Sequence, residues 1–138
     1  ITDNLDVLIW TKLAVNAAIN PLTAMLRVHN GFLTENERCL KWMKSICKEI
    51  ESLAHAEGIK LIEKPVYPYV LSVAQKTANN RSSMLSDIEA GRPTEIDAIC
   101  ESLIEIAEQH NLQVPFLKRA YAGVKAAEQG KVFEVEGL

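Results

Sequence analysis

No stretch of the chain reaches the ~18 apolar residues that a membrane-crossing helix requires, because Lys12, Asn16 and Asn20 interrupt its greasiest segment. No membrane partner is therefore expected. An excess of positive charge is also missing. Fifteen Lys and Arg stand against 18 Asp and Glu, giving a net charge of −3 with no basic cluster, which argues against a nucleic-acid partner. Cysteine is scarce: Cys39, Cys47 and Cys100 are an odd number, with no CxxC and no His at ligand spacing. That excludes a disulfide framework, gives no metal site, and suits a reducing, cytoplasmic compartment. No cleavable signal peptide is evident. Glycine is too dispersed, at positions 31, 58, 91, 123, 130 and 137, to build the GxGxxG loop of a dinucleotide-binding fold. Period-two alternation is never sustained long enough for a convincing strand.

What is present begins with a polar stripe. The segment Leu5–Leu22, LDVLIWTKLAVNAAINPL, is apolar on nearly every face, as a helix buried in a core would be. Lys12, Asn16 and Asn20 recur in it at steps of four, so on a helix they line one strip about 12 Å long. Burying an ammonium and two carboxamides without partners costs several kcal/mol. A small, anionic, oxygen-rich molecule is the economical partner.

The 138 residues suit one domain. The chain starts at Ile1 without an initiator methionine, which fits a domain cut from a longer polypeptide or a processed chain. The pattern predicts an all-α helical bundle. A first helix runs from about Asn4 to about Arg27, capped by Thr2 or Asp3, with Pro21 as a kink. His29, Asn30 and Gly31 make a turn. Thr34 and Glu37 form a capping box for a second helix that ends near Gly58. Its core stripe is Leu40, Met43, Ile46, Cys47, Ile50, Leu53 and Ala54. Ile59–Ile62 is an extended link. Pro65 and Pro68 open a third helical stretch, which breaks near Asn79–Arg81, resumes over Met84–Ala90 and stops at Gly91. Thr94 and Asp97 cap the next helix to about His110, and Pro115 starts a last one through about Glu128.

Two further patches carry polar chemistry: Asn79-Asn80-Arg81-Ser82-Ser83-Met84 and Gly91-Arg92-Pro93-Thr94-Glu95-Ile96-Asp97. On local grounds alone, capping and turn chemistry is the favoured account of Ser82, Ser83, Thr94, Glu95 and Asp97, as an Asn-Gly turn is of Asn30.

The run Trp10-Thr11-Lys12-Leu13-Ala14-Val15-Asn16-Ala17-Ala18-Ile19-Asn20-Pro21-Leu22-Thr23 resembles the W-x-K-L-x-x-N-x-x-x-N-P-L-T signature of ketopantoate reductases. The segments Ser82-Ser83-Met84-Leu85-Ser86-Asp87-Ile88 and Gly91-Arg92-Pro93-Thr94-Glu95-Ile96-Asp97 resemble the family's second signature. The resemblance spans essentially the whole chain but only the family's C-terminal helical domain, without the N-terminal dinucleotide-binding half. It implies a fold like the 6-phosphogluconate dehydrogenase C-terminal domain and reduction of 2-dehydropantoate to (R)-pantoate with NADPH, toward pantothenate and coenzyme A.

Carried over residue by residue, the resemblance makes Lys12 the proton donor. Asn16, Asn20, Asn30, Asn80 and Ser83 become substrate-binding, and Glu95 the contact to substrate hydroxyl and nicotinamide ribose. The implied partners are a small 2-keto acid and the chain's own nucleotide-binding domain. Loss of that domain would bare an apolar cleft wall and favour a homodimer, and the isolated chain is expected to be inactive. The alternatives are a reductase of another 2-keto acid, or a non-catalytic dimerisation or packing module using the Trp42, Met43 and Ile46 face of the second helix.

Overall fold

A computed structural model describes residues 4–61 and 65–138, with nothing said of the Asn4 side chain. Among the described residues, seven α-helices and a closing 3-10 turn account for the regular structure: α1 (Asn4–Leu26), α2 (Asn30–Thr34), α3 (Glu37–Ala56), α4 (Tyr67–Lys76), α5 (Ser83–Ala90), α6 (Ile96–Gln109), α7 (Pro115–Glu128) and η1 (Val135–Gly137). No strand occurs among them. The all-α expectation therefore holds.

The hub of the bundle is α1, which packs against all six other helices. Its composition explains the role. Ala14, Ala17, Ala18 and Ala24 are fully buried, and such small side chains let neighbouring axes come close. Ile19, Leu22 and Met25 fill the space between them. The helix continues through the buried Pro21, whose missing N–H leaves one gap in the hydrogen-bond ladder. Against α1, α3 lays down Met43, Ile46, Cys47, Ile50, Leu53 and Ala54, all buried, with Leu40 half-buried at the edge. Trp42, Met43 and Ile46 are thus committed to the protein's own core. The expectation that they present a face to a partner helix is overturned, because α1 and α7 occupy it.

Local signals set most of the boundaries. Gly58 and Gly91 follow α3 and α5 with φ of 75° and 74°, the left-handed region where a side chain is disfavoured. Pro68 and Pro115 sit in the first turns of α4 and α7. Three expectations need correction. His29, Asn30 and Gly31 do not form a simple turn; Asn30 begins the short helix α2. Thr34 and Glu37 do not form a capping box. Thr34 ends α2, its hydroxyl donating to the Gly31 carbonyl at 2.8 Å. The extended Asn36 caps α3 instead, accepting from the Cys39 N–H at 3.1 Å. Nor do Thr94 and Asp97 cap α6 as a pair. Glu95 holds the N-cap position without a side-chain bond, Thr94 Oγ1 accepts from Ile96 N–H at 3.2 Å, and Asp97 faces Lys125 at 3.4 Å. The proposed caps Thr2 and Asp3, and Ile62 of the extended link, lie outside the described residues.

Two helix N-termini are served from a distance. The Glu49 carboxylate of α3 accepts from Phe116 and Leu117 N–H at 2.9 and 2.8 Å, satisfying the start of α7. Glu128 of α7 accepts from the N–H and hydroxyl of Thr94 at 2.9 and 2.8 Å. Carboxylates suit such positions because unpaired N–H groups and the helix dipole both favour negative charge. The three cysteines are buried and free. Burial pushes the Cys39 thiol up to about 11. Burial, then the nearby Glu51, takes Cys47 to about 12; burial, then Asp97, does the same for Cys100.

Candidate functional site

The stripe of Lys12, Asn16 and Asn20 lies on one face of α1, as its spacing predicts. It is not interred in the core. Lys12 is exposed and the two asparagines are half-buried. The apolar residues preceding it on the same face, Leu8 and Ile9, are 62% and 48% exposed. The reason is geometric: the other helices gather on the alanine side of α1 and leave this side open. The strip thus runs from an exposed apolar surface toward the buried Thr23.

Its inner end is fixed by a bond that local sequence does not announce. Thr23, just beyond Asn20 on the same helix, is fully buried, and its hydroxyl lies 2.7 Å from that of Ser82. Ser82 Oγ in turn accepts from Leu85 N–H at 3.0 Å and caps α5. The start of α5, with exposed Ser83 as its first residue, is therefore docked against α1 at the end of the stripe.

A second pair of candidates is joined through the backbone. Asn30 N–H donates to the Asn80 carbonyl at 3.1 Å, and Gly31 N–H to the Ala78 carbonyl at 3.0 Å. A Cβ on Gly31 would lie 2.7 Å from Ala78 Cβ, so this close approach requires glycine. The Asn30 side chain is buried. Its amide nitrogen donates to Thr77 Oγ1 at 2.9 Å, while Thr77 gives its own proton to the Val73 carbonyl at 2.7 Å. Thr77 can then only accept, which orients the amide and leaves Asn30 Oδ1 buried without a partner.

The polar side chains of this region fall into two sets. Thr23, Ser82, Thr77 and Thr94 are engaged in hydrogen bonds within the fold. Among the described residues, the side chains of Lys12, Asn16, Asn20, Asn80, Ser83 and Glu95 make no hydrogen bond or ion pair. Glu95 stands apart from the rest, on a segment whose bonds run to α7. Thr23 and Thr77 are the residues sequence reading missed; each acts across more than 45 positions of chain. A groove of about 560 Å³ lies beside the site, lined by Arg27, His29, Phe32, Gln75, Asn79 and Arg81 among others. None of the seven candidates lines it, although residues flanking Asn30 and Asn80 do.

A family model described as ketopantoate reductase PanE/ApbA C terminal matches residues 4–128. A 2-dehydropantoate 2-reductase from Shigella flexneri is 39% identical over 126 residues, covering 91% of this chain and 41% of that protein. The chain thus spans about two fifths of the length of the curated relatives it matches. Among solved structures, a PanE/ApbA family ketopantoate reductase from Ralstonia eutropha aligns with a TM-score of 0.85 at 27% identity, over 93% of this chain and 43% of that one. D-mandelate dehydrogenase with NADH and anilino(oxo)acetate aligns with a TM-score of 0.81 at 25% identity, over 93% and 42%. A dimeric ketopantoate reductase from Staphylococcus aureus gives a TM-score of 0.81 at 28% identity, over 94% and 45%.

Proposed function

Because the chain belongs to the ketopantoate reductase PanE/ApbA C-terminal family, we propose that it forms the substrate-binding and acid-catalytic half of an NADPH-dependent 2-dehydropantoate 2-reductase. A nucleotide-binding domain elsewhere in the protein would close over the open face of α1. The observation that carries this reading is the set of unpartnered polar side chains. Three are aligned on the hub helix; Ser83 follows Ser82, which is bonded to Thr23 of that helix, and Asn80 stands two residues before Ser82. None of the side chains of Lys12, Asn16, Asn20, Asn80 and Ser83 is tied up in the fold, so each is free to meet a ligand.

The chemistry follows from residue type. Reduction of a ketone develops negative charge on its oxygen, and the ammonium of Lys12 both stabilises that charge and delivers the proton. Lysine suits the task because arginine does not release its proton at working pH. Asn16 and Asn20 offer amide N–H groups along the stripe to a substrate carboxylate, and Ser83 its hydroxyl. Asn30 keeps a buried, unpartnered Oδ1, which would take a donor such as a hydroxyl if the substrate reaches it. Glu95 fits a contact to a nicotinamide ribose, since its exposed carboxylate is committed to no cap and no ion pair. The cofactor, when bound, supplies the hydride. Holding the keto acid between these groups contributes by orientation as well as by charge.

A related reading keeps the chemistry and changes the side chain of the acid. The likeness to D-mandelate dehydrogenase favours it, because that protein is seen with an aryl-substituted oxo acid. The test is NADPH oxidation by the intact protein with ketopantoate and, in parallel, with phenylglyoxylate. Turnover of ketopantoate should fall about 10²–10⁴-fold in Lys12→Ala, the usual worth of a general acid. A Lys12→Ala enzyme with near wild-type turnover would remove Lys12 from the chemistry. Preference for phenylglyoxylate would move the substrate to the aryl class.

A further inference from the structure

A second polar assembly lies where the start of α3 meets α7, and the proposed reductase chemistry does not use it. The Arg119 guanidinium carbon lies within cation–π distance of two aromatic rings, 4.8 Å from the Trp42 centroid and 4.9 Å from that of Phe116. The rings themselves meet edge to face at 5.3 Å and 88°. Both rings hold the cation by their faces' negative charge, and Arg119 has no hydrogen-bond acceptor or ion-pair partner among the described residues. Trp42 is 4% exposed, yet its indole N–H is buried without an acceptor. Such an orphan is uncommon in a folded protein and calls for an explanation.

Trp42, Phe116 and Arg119 line a groove of about 450 Å³ together with Glu37, Arg38, Lys41 and Leu138. That size falls within the range of small-molecule sites. Three cations against one carboxylate leave the groove with a net charge of +2 in a chain whose net charge is −3. Arg38 gives one N–H to the Glu136 carbonyl at 3.2 Å, and Lys41 pairs with nothing among the described residues. Both occupy the first two turns of α3, where the positive end of the helix dipole disfavours cations. Arg38 is compensated by the Glu136 carbonyl and by Glu37 in the same turn, which leaves Arg119, Lys41 and the Trp42 N–H as the donors the fold does not use.

We propose that this groove binds a small organic phosphate. A phosphomonoester carries about −1.5 to −2 at neutral pH and so gains more from the cations Arg119 and Lys41 than a carboxylate of about half that charge. The planar fork of Arg119 suits two phosphate oxygens, and Trp42, Phe116 and Leu138 give the organic body an apolar wall. The site lies on the α3–α7 side of the bundle and shares no residue with the α1 stripe, so it stands independently of the reductase reading.

The test is titration calorimetry of the intact protein with phenyl phosphate at fixed ionic strength, with NADPH saturating so that any nucleotide site is filled. One saturable site is expected, weakened about tenfold or more in Arg119→Gln and again in Lys41→Gln, with benzoate binding far more weakly. Lys41 is exposed, so its replacement leaves the fold intact even if loss of Arg119 disturbs the aromatic pair. Absence of saturable binding overturns the proposal, as does undiminished affinity in both variants. Benzoate binding as tightly as phenyl phosphate overturns the choice of phosphate.

Discussion

Replacing Gly31 by alanine sets two effects of opposite sign against each other. Gly31 lies within α2, and by helix propensity alone alanine should stabilise by about 1 kcal/mol. The packing says otherwise. The new Cβ would sit 2.7 Å from Ala78 Cβ and 3.0 Å from Ala78 Cα and O. None of these atoms is the free end of a flexible side chain, so α2 must move from the end of α4. That movement strains the bonds from Asn30 N–H to Asn80 and from Gly31 N–H to Ala78, each worth about 0.5–1.5 kcal/mol. Overpacking adds about 1–3 kcal/mol. The net expectation is destabilisation by about 2 kcal/mol. In urea, with m of about 2 kcal/mol/M, that lowers the midpoint by about 1 M at unchanged m. Gly123→Ala is the control: its Cβ would meet Met25 Cε and Sδ at 2.5 and 2.6 Å, the far end of an unbranched chain that can swing away. Its cost should be clearly smaller. A Gly31→Ala protein as stable as wild type, or more stable than Gly123→Ala, would refute the reasoning.

Two carboxylates should act oppositely in acid. Burial raises the Glu128 pKa, but the bonds from Thr94 and the charge of Lys125 outweigh it and hold the carboxyl below its ordinary value. Its stabilisation is therefore present above the unfolded pKa and lost as pH falls through the folded one. Burial raises Glu49, only partly offset by the Phe116 and Leu117 N–H groups, so protonation there favours the folded state. Melting temperature followed from about pH 7 to about pH 3 should fall less steeply in Glu128→Gln than in wild type; an unchanged slope would discount the Thr94 contact. The three buried thiols, raised to about 11 or 12, should resist Ellman's reagent near neutral pH and all react in denaturant. Rapid native labelling of any one would contradict their burial.

The sequence made legible whatever is decided over a few neighbouring residues. Gly58, Gly91 and Pro115 mark their boundaries because the backbone at those points needs a positive φ or lacks a donor. The four-residue spacing placed Lys12, Asn16 and Asn20 on one face. Its exposure was not legible, since burial of a helix face depends on which partners arrive and where. Thr34 and Glu37 mislead for a similar reason: they match a capping box, but the pairing of residues 30–31 with 78–80 draws the preceding segment into α2 and moves the boundary. The Thr23–Ser82 and Asn30–Thr77 bonds, and the remote caps Glu49 and Glu128, join positions far apart in the chain, and no local pattern encodes them.

The central place of α1 also shapes how this bundle is made. On the ribosome α1 emerges before its six partners, yet one of its main neighbours, α7, begins at Pro115. At about 5–20 residues per second, the apolar flank of α1 waits on the order of 5–20 s for that cover. During this interval Ile19, Leu22 and Met25, later buried, are available to chaperones or to other nascent chains. Slowing synthesis between α3 and α7 should therefore lower soluble yield more than slowing it within α7. Among the helices of the described residues, the one that carries the candidate acid is made before the other six and waits for the last of them.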